Sequence, residues 1–129
     1  MIHDRDAHAD VLRVLAEEGA PEHTVFHCFS GDVGMARHCV RAGYVLSFAG
    51  TVTFKNAPAL REAAAVVPTD QLLVETDAPF LTPMPYRGRP NAPYLVPLTV
   101  RVLATVLSVH IEQLCEEVTR TAQRVFGSW

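Results

Sequence analysis

Gln71-Leu72-Leu73-Val74-Glu75-Thr76-Asp77 is a short run of β-favouring apolar residues that closes on two acids. Strand alternation puts Leu73, Glu75 and Asp77 on one face and Leu72 and Val74 on the other. A carboxylate in an otherwise apolar strand is costly unless it meets a cation or hydrogen-bond donors. Glu75 and Asp77 therefore point to something positive at the end of this strand. A Pro- and Gly-rich loop, roughly 76–93, follows and leads into a helix carrying Val100, Leu103, Ala104 and Leu107.

Upstream the chain repeats the same rhythm of short strand, then helix. Ile2-His3 reads as the stub of a strand, followed by a helix capped at Asp6 with Val11, Leu12, Leu15 and Ala16 at helical spacing. Thr24-Val25-Phe26-His27 and Tyr44-Val45-Leu46-Ser47-Phe48 read as the second and third strands. A helix starting near Asp32 follows the second, and one capped by Asn56 with Pro58 in its first turn follows the third. A final helix places Ile111, Leu114, Cys115, Val118, Ala122, Val125 and Phe126 on one stripe. Alternating strands and helices imply parallel βαβ units and an α/β fold. Four units plus a final helix amount to half of a (β/α)8 TIM barrel, which needs eight units and typically about 250 residues. Residues 1–129 thus read as a single partial barrel domain, and the opening inside a strand reads as a chain truncated ahead of Met1.

Bulk properties narrow the class without choosing a function. The chain has 129 residues, 49% hydrophobic and 19% charged, the profile of an ordinary globular protein. Its formal charge is −3, so no global basic field draws in nucleic acid, and a phosphodiester would have to be held by local Arg/Lys or by metal ions. The sequence shows neither a signal peptide pattern nor a run long enough to span a bilayer, so no membrane association is expected. Three cysteines without a CxxC pair argue against a disulfide framework or zinc knuckle and suit a reducing cytoplasm.

The chemistry collects at strand ends. His3, His27 and Asp77 stand at the C-terminal ends of three strands, the end where barrel active sites are assembled. Two imidazoles and a carboxylate suit Zn²⁺, Mn²⁺ or a similar hydrolytic metal, which lowers the pKa of bound water toward ~7. A strand-end histidine can equally be a hydrogen-bonded structural residue, and position alone leaves both roles open. His8, His23, His38 and His110 read as solvated or capping. Arg87, Arg89 and Asn91 in the loop after the fourth strand, and Lys55 just before a helix N-terminus, are candidates for holding phosphate. Solvated surface roles compete for each of them.

Four strings carry more than pattern: His27-Cys28-Phe29-Ser30-Gly31, Ser47-Phe48-Ala49-Gly50, Leu73-Val74-Glu75-Thr76-Asp77-Ala78-Pro79-Phe80-Leu81 and Pro85-Tyr86-Arg87-Gly88. Together with Ile2-His3-Asp4-Arg5-Asp6-Ala7 and Arg124-Val125-Phe126-Gly127 they closely resemble the TatD family of metal-dependent DNases, over essentially the whole chain and in order. The resemblance implies the C-terminal half of a TIM barrel of the metal-dependent hydrolase superfamily, working with divalent Mg²⁺, Mn²⁺ or Zn²⁺. It implies metal ligands at His3, His27 and Asp77, a proton-accepting or water-orienting role for Asp77, and Glu75 fixing ligand orientation. The implied reaction is hydrolysis of DNA phosphodiester bonds.

Departures matter as well. The family's His-x-His pair and Gly-Glu-x-Gly-Leu-Asp segment do not occur here, and Thr121 stands where relatives commonly have Asn. Three readings follow: a deoxyribonuclease completed by an N-terminal half-barrel or by self-association, a catalytically inactive remnant, and a superfamily member cleaving amides or esters. An isolated half-barrel is further expected to expose two strand edges and an uncovered apolar face.

Overall fold

A computed structural model describes residues 1–128 as one four-stranded sheet with helices against it. The strands β1 (Ile2–His3), β2 (Val25–His27), β3 (Val45–Phe48) and β4 (Leu72–Val74) are all parallel and lie side by side in sequence order. Helices α1 (His8–Glu18), α2 (Val33–Arg41) and α3 (Pro58–Ala64) make the crossovers; α4 (Val96–Leu107) and α5 (Ile111–Phe126) follow β4. β1 spans the two residues read from the sequence, and β2, β3 and β4 are each a residue or two shorter than the runs read there.

Alternation sorts the strand residues into two cores. Phe26, Leu46, Phe48 and Leu72 point outward into the main cluster, where they meet Met35, Ala36 and Cys39 of α2, Ala63 and Ala64 of α3, and Val100, Leu103 and Ala104 of α4. Val25, Val45 and Leu73 point the other way, and all three are buried. They are covered by Val118, Ala122 and Val125, the stripe of α5. The uncovered apolar face expected from the sequence is therefore absent at these positions. Ser108 takes a left-handed conformation (φ 55°) that ends α4, and α5 leaves at 108° to it, which carries the stripe onto the inner face. The Thr121 hydroxyl donates to the Asp70 carbonyl at 3.2 Å and the Arg124 guanidinium donates to the same oxygen, fixing α5 to the start of β4.

Two caps differ from expectation. Ala7, not Asp6, is the N-cap of α1; Asp6 adopts φ 56°, and the Asp4 carboxylate accepts the Ala7 N–H at 3.2 Å instead. Asn56 is exposed, and the N-cap of α3 is Ala57 with no side-chain hydrogen bond. Asp32 caps α2 as expected, accepting from the Met35 N–H at 2.9 Å. His8, read as solvated or capping, is half-buried, with its Nδ1 2.5 Å from the buried Asp4 carboxylate.

The loop after β4 is tied down rather than loose. The Met84 N–H donates to the Thr53 hydroxyl at 2.8 Å, and the Thr82 hydroxyl donates to the Arg89 carbonyl. Gly50 leaves the room for this docking, since a Cβ there would lie 2.1 Å from the Leu81 carbonyl oxygen. No single helix among the described residues is long and apolar enough to cross a membrane.

Candidate metal centre

Parallel register carries the polar strand ends to one rim. His3 of β1 stands opposite His27 of β2, with their ring centroids 5.3 Å apart. Glu75 continues β4, its N–H donating to the Phe48 carbonyl at 3.1 Å, and its side chain reaches across to His27. Glu75 Oε1 lies 2.6 Å from His27 Nδ1, and Asp77 Oδ1 lies 4.0 Å from His27 Nε2. One donor atom from each of His27, Glu75 and Asp77 falls within 4.8 Å of the others, spacing that can hold a metal ion. His3 is exposed beside this trio, next to His27 but outside the tightest group. The structure thus brings three of the four residues singled out from the sequence into one cluster and sets the fourth at its margin.

Glu75 does two things at once. Its Oε2 accepts the Cys28 N–H at 3.1 Å, holding a residue whose φ of 49° is rare for a side chain of this type. Its Oε1 is buried, and the contact with His27 Nδ1 is short but not aligned as an N–H···O bond. A buried carboxylate oxygen without a directed donor is costly unless a cation neutralises it. Asp77 is also left-handed (φ 56°), so one member of the trio and the residue after another hold sparsely populated backbone, a pattern concentrated at functional sites. The N and O donors, their spacing and the unsatisfied Glu75 oxygen together fit a divalent cation of the Zn²⁺ or Mn²⁺ kind.

The Cys28 thiol is no competitor for the chemistry. Burial, then the charges of Glu75 and Asp77, push it up to about 11, with Arg5 acting in the opposite direction. The thiol stays protonated at neutral pH and is not a nucleophile.

The loop residues separate. Arg87 and Arg89 are exposed and, among the described residues, pair with no carboxylate; Arg87 lies 4.3 Å over the Phe54 ring. Lys55 is exposed at the turn before α3. Asn91 faces inward, where its amide nitrogen donates to the carbonyls of Thr76 and Phe80, both at 2.7 Å. These bonds grip the backbone on either side of Asp77, a positioning contact that the loop's composition did not reveal. The Cys28 N–H was likewise invisible, because a backbone donor leaves no trace in residue type.

Comparison with known proteins gives a consistent picture. The family model described as TatD related DNase matches residues 1–127. The chain is 53% identical over 127 residues to an uncharacterized metal-dependent hydrolase, TatD, of Mycobacterium tuberculosis, covering 98% of this chain and 48% of that protein. It is 42% identical to the uncharacterized metal-dependent hydrolase YcfH of Escherichia coli K12, again over 98% of this chain and 48% of the relative. The crystal structure of YJJV, a TatD homologue from Escherichia coli K12, superposes with a TM-score of 0.91 at 28% identity, covering 98% of this chain and 49% of that one. A TatD family hydrolase from Entamoeba histolytica shares the fold, with a TM-score of 0.85 at 16% identity and coverage of 98% and 50%. The chain spans about half the length of the curated relatives it matches.

Proposed function

We propose that this chain, which belongs to the TatD related DNase family, takes part in hydrolysing DNA phosphodiester bonds at the rim where His27, Glu75 and Asp77 meet. The observation that carries the reading is the trio itself, with one donor atom each from His27, Glu75 and Asp77 within 4.8 Å of the others. A divalent ion held there would supply Lewis acidity and a lowered pKa for water. Glu75, close to His27 Nδ1, turns Nε2 toward Asp77 and keeps the imidazole oriented. Asp77, the more exposed of the two acids, accepts the proton of the water that attacks phosphorus. His3 adds a further imidazole at the margin of the trio. Arg87 and Arg89, without carboxylate partners among the described residues, and Lys55 hold the non-reacting phosphate oxygens.

Four parallel strands leave the outer edges of β1 and β4 unpaired among the described residues. We infer that further strands, from an N-terminal half-barrel or from a second copy, pair with these edges and complete the rim. Light scattering of the 129-residue chain, alone and mixed with the N-terminal half of a relative, distinguishes the two sources.

The deciding experiment measures DNA hydrolysis by the purified chain with Mg²⁺, Mn²⁺ or Zn²⁺ beside Asp77→Ala, with metal binding followed by calorimetry. Metal-dependent cleavage that disappears in Asp77→Ala supports the reading. Metal binding without cleavage of DNA, but with turnover of an amide or ester, moves the chain to a different substrate class. Undiminished cleavage by Asp77→Ala would remove Asp77 from the mechanism.

A further inference from the structure

The segment that follows Asp77 combines two features that the hydrolytic trio does not use. The first is an aromatic ring left in water on a pinned backbone. The Phe80 N–H donates to the Asp77 carbonyl at 2.9 Å, and the Phe80 carbonyl accepts from Asn91 at 2.7 Å, yet its side chain is 68% exposed. Single exposed apolar residues are ordinary. Here, however, three of the four exposed large aromatics among the described residues, Phe80, Tyr86 and Tyr94, sit on this one segment.

The second feature is charge. Phe80 and Pro79 form one side of an open cleft of about 560 Å³, and Arg87 and Arg89 line it as well. Neither guanidinium is neutralised by a carboxylate among the described residues, in a chain whose net charge is −3. Phe54 occupies one face of Arg87, which fixes the guanidinium plane and leaves its N–H groups free to donate. Flat aromatic surface beside uncompensated guanidinium groups is the chemistry that holds a nucleotide, with the base on the ring and the phosphate on the cation. The turn from Asp77 to Phe80 closes an i to i+3 hydrogen bond, which sets their Cα atoms within about 7 Å. A single tight turn of backbone therefore joins Phe80 to the proposed proton acceptor.

We propose that the loop after β4 is a nucleobase-stacking subsite, in which Phe80 packs against the face of a base and Arg87 and Arg89 hold the adjoining phosphate. This inference rests on the reading of the chain as acting on DNA and names the part of the substrate that its rim grips. A base can reach Phe80 only when it is unstacked from its neighbours.

The test is a mutant cycle read by fluorescence anisotropy in EDTA, where no cleavage occurs. The probes are a labelled single-stranded oligothymidylate and a strand of the same length made of abasic sites. Phe80→Ala is expected to weaken binding of the base-bearing strand about 5- to 150-fold, the range of one base–aromatic stack, and to leave the abasic strand unchanged. Phe80→Trp restores the preference, and Arg87→Ala weakens both strands alike. Thermal melting checks that the variants remain folded, as the exposure of Phe80 predicts. Equal binding of the two strands by the wild type, or equal loss on both in Phe80→Ala, overturns the subsite. If the wild type still cleaves DNA with metal in that case, only the subsite falls. Neither binding nor cleavage of DNA would remove the subsite together with the reading beneath it.

Discussion

The inner face of this sheet holds two regions only a residue pair apart. Val25, Val45 and Leu73 are buried under the α5 stripe, on regular strand backbone. Two residues further along β2 and β4 the same face carries His27 and Glu75, with left-handed Cys28 and Asp77 beside them. Burial and regular pairing stabilise the first region. The second holds a carboxylate oxygen without a directed donor and backbone in sparsely populated conformations, each of which costs of order 1–3 kcal/mol. The contrast shows where the fold draws its stability and where it carries cost. The rim tolerates strained residues because the strands below are fixed by packing, and α5 does much of that fixing.

The largest effect should come from breaking the packed region. Leu73→Ala removes a side chain that Val118, Ala122 and Val125 help to cover, and should destabilise by about 2–5 kcal/mol in urea denaturation. The folded fraction should bind metal as before; a loss of metal affinity larger than the loss of stability would mean that the two regions are not separable. Glu75→Gln addresses the other side. Metal affinity measured by calorimetry should drop about 10- to 100-fold, while the denaturation midpoint holds or rises because a buried charge has gone. A lowered midpoint with intact affinity would recast Glu75 as a structural residue. Asp32→Ala lies away from both regions and loses only the α2 cap, so about 1 kcal/mol of stability is expected and no change at the rim.

The effect that vanishes at neutral pH is a pH dependence. Cys39, on the outer side of the sheet, has its thiol pushed up to about 12 by burial and then by the charge of Asp4. The folded state keeps the neutral thiol, whereas the unfolded chain ionises above its ordinary value of 9.0. The contribution to stability is thus complete below pH 9 and is lost as pH rises from 9 toward 12. Urea midpoints at increasing pH should fall in the wild type and fall less steeply in Cys39→Ala. Identical slopes would remove Cys39 from the alkaline transition.

The strands and crossovers were legible because Val25-Phe26-His27 and Leu72-Leu73-Val74 are β-favouring runs of a length that a short strand explains, with helical spacing between them. The rim was legible for the same reason: acids ending an apolar run, as Glu75 and Asp77 do, require a partner. Sequence alone could not say what the α5 stripe covers. A stripe at Val118, Ala122 and Val125 states that one face is buried, but the 108° turn at Ser108 decides against what. Asp6 and Asn56 looked like caps because their residue types suit the position. The backbone made Ala7 the N-cap of α1, with the Ala7 N–H donating to the Asp4 carboxylate, and Asp4 in turn drew in His8. Asn91 looked like a ligand contact and is instead a clamp, since both its amide protons point at carbonyls on either side of Asp77.

The strict sequence order of the sheet bears on how the molecule is made. Each strand pairs with the one synthesised just before it, so the ladder can grow on the ribosome without waiting for distant chain. The cover over Val25, Val45 and Leu73 is different, because α5 follows every strand. Until those 16 residues have emerged, a nascent chain holds these four strands with a bare greasy patch. That interval is when a chaperone would have something to grasp, and when two neighbouring chains on one message are most prone to stick together.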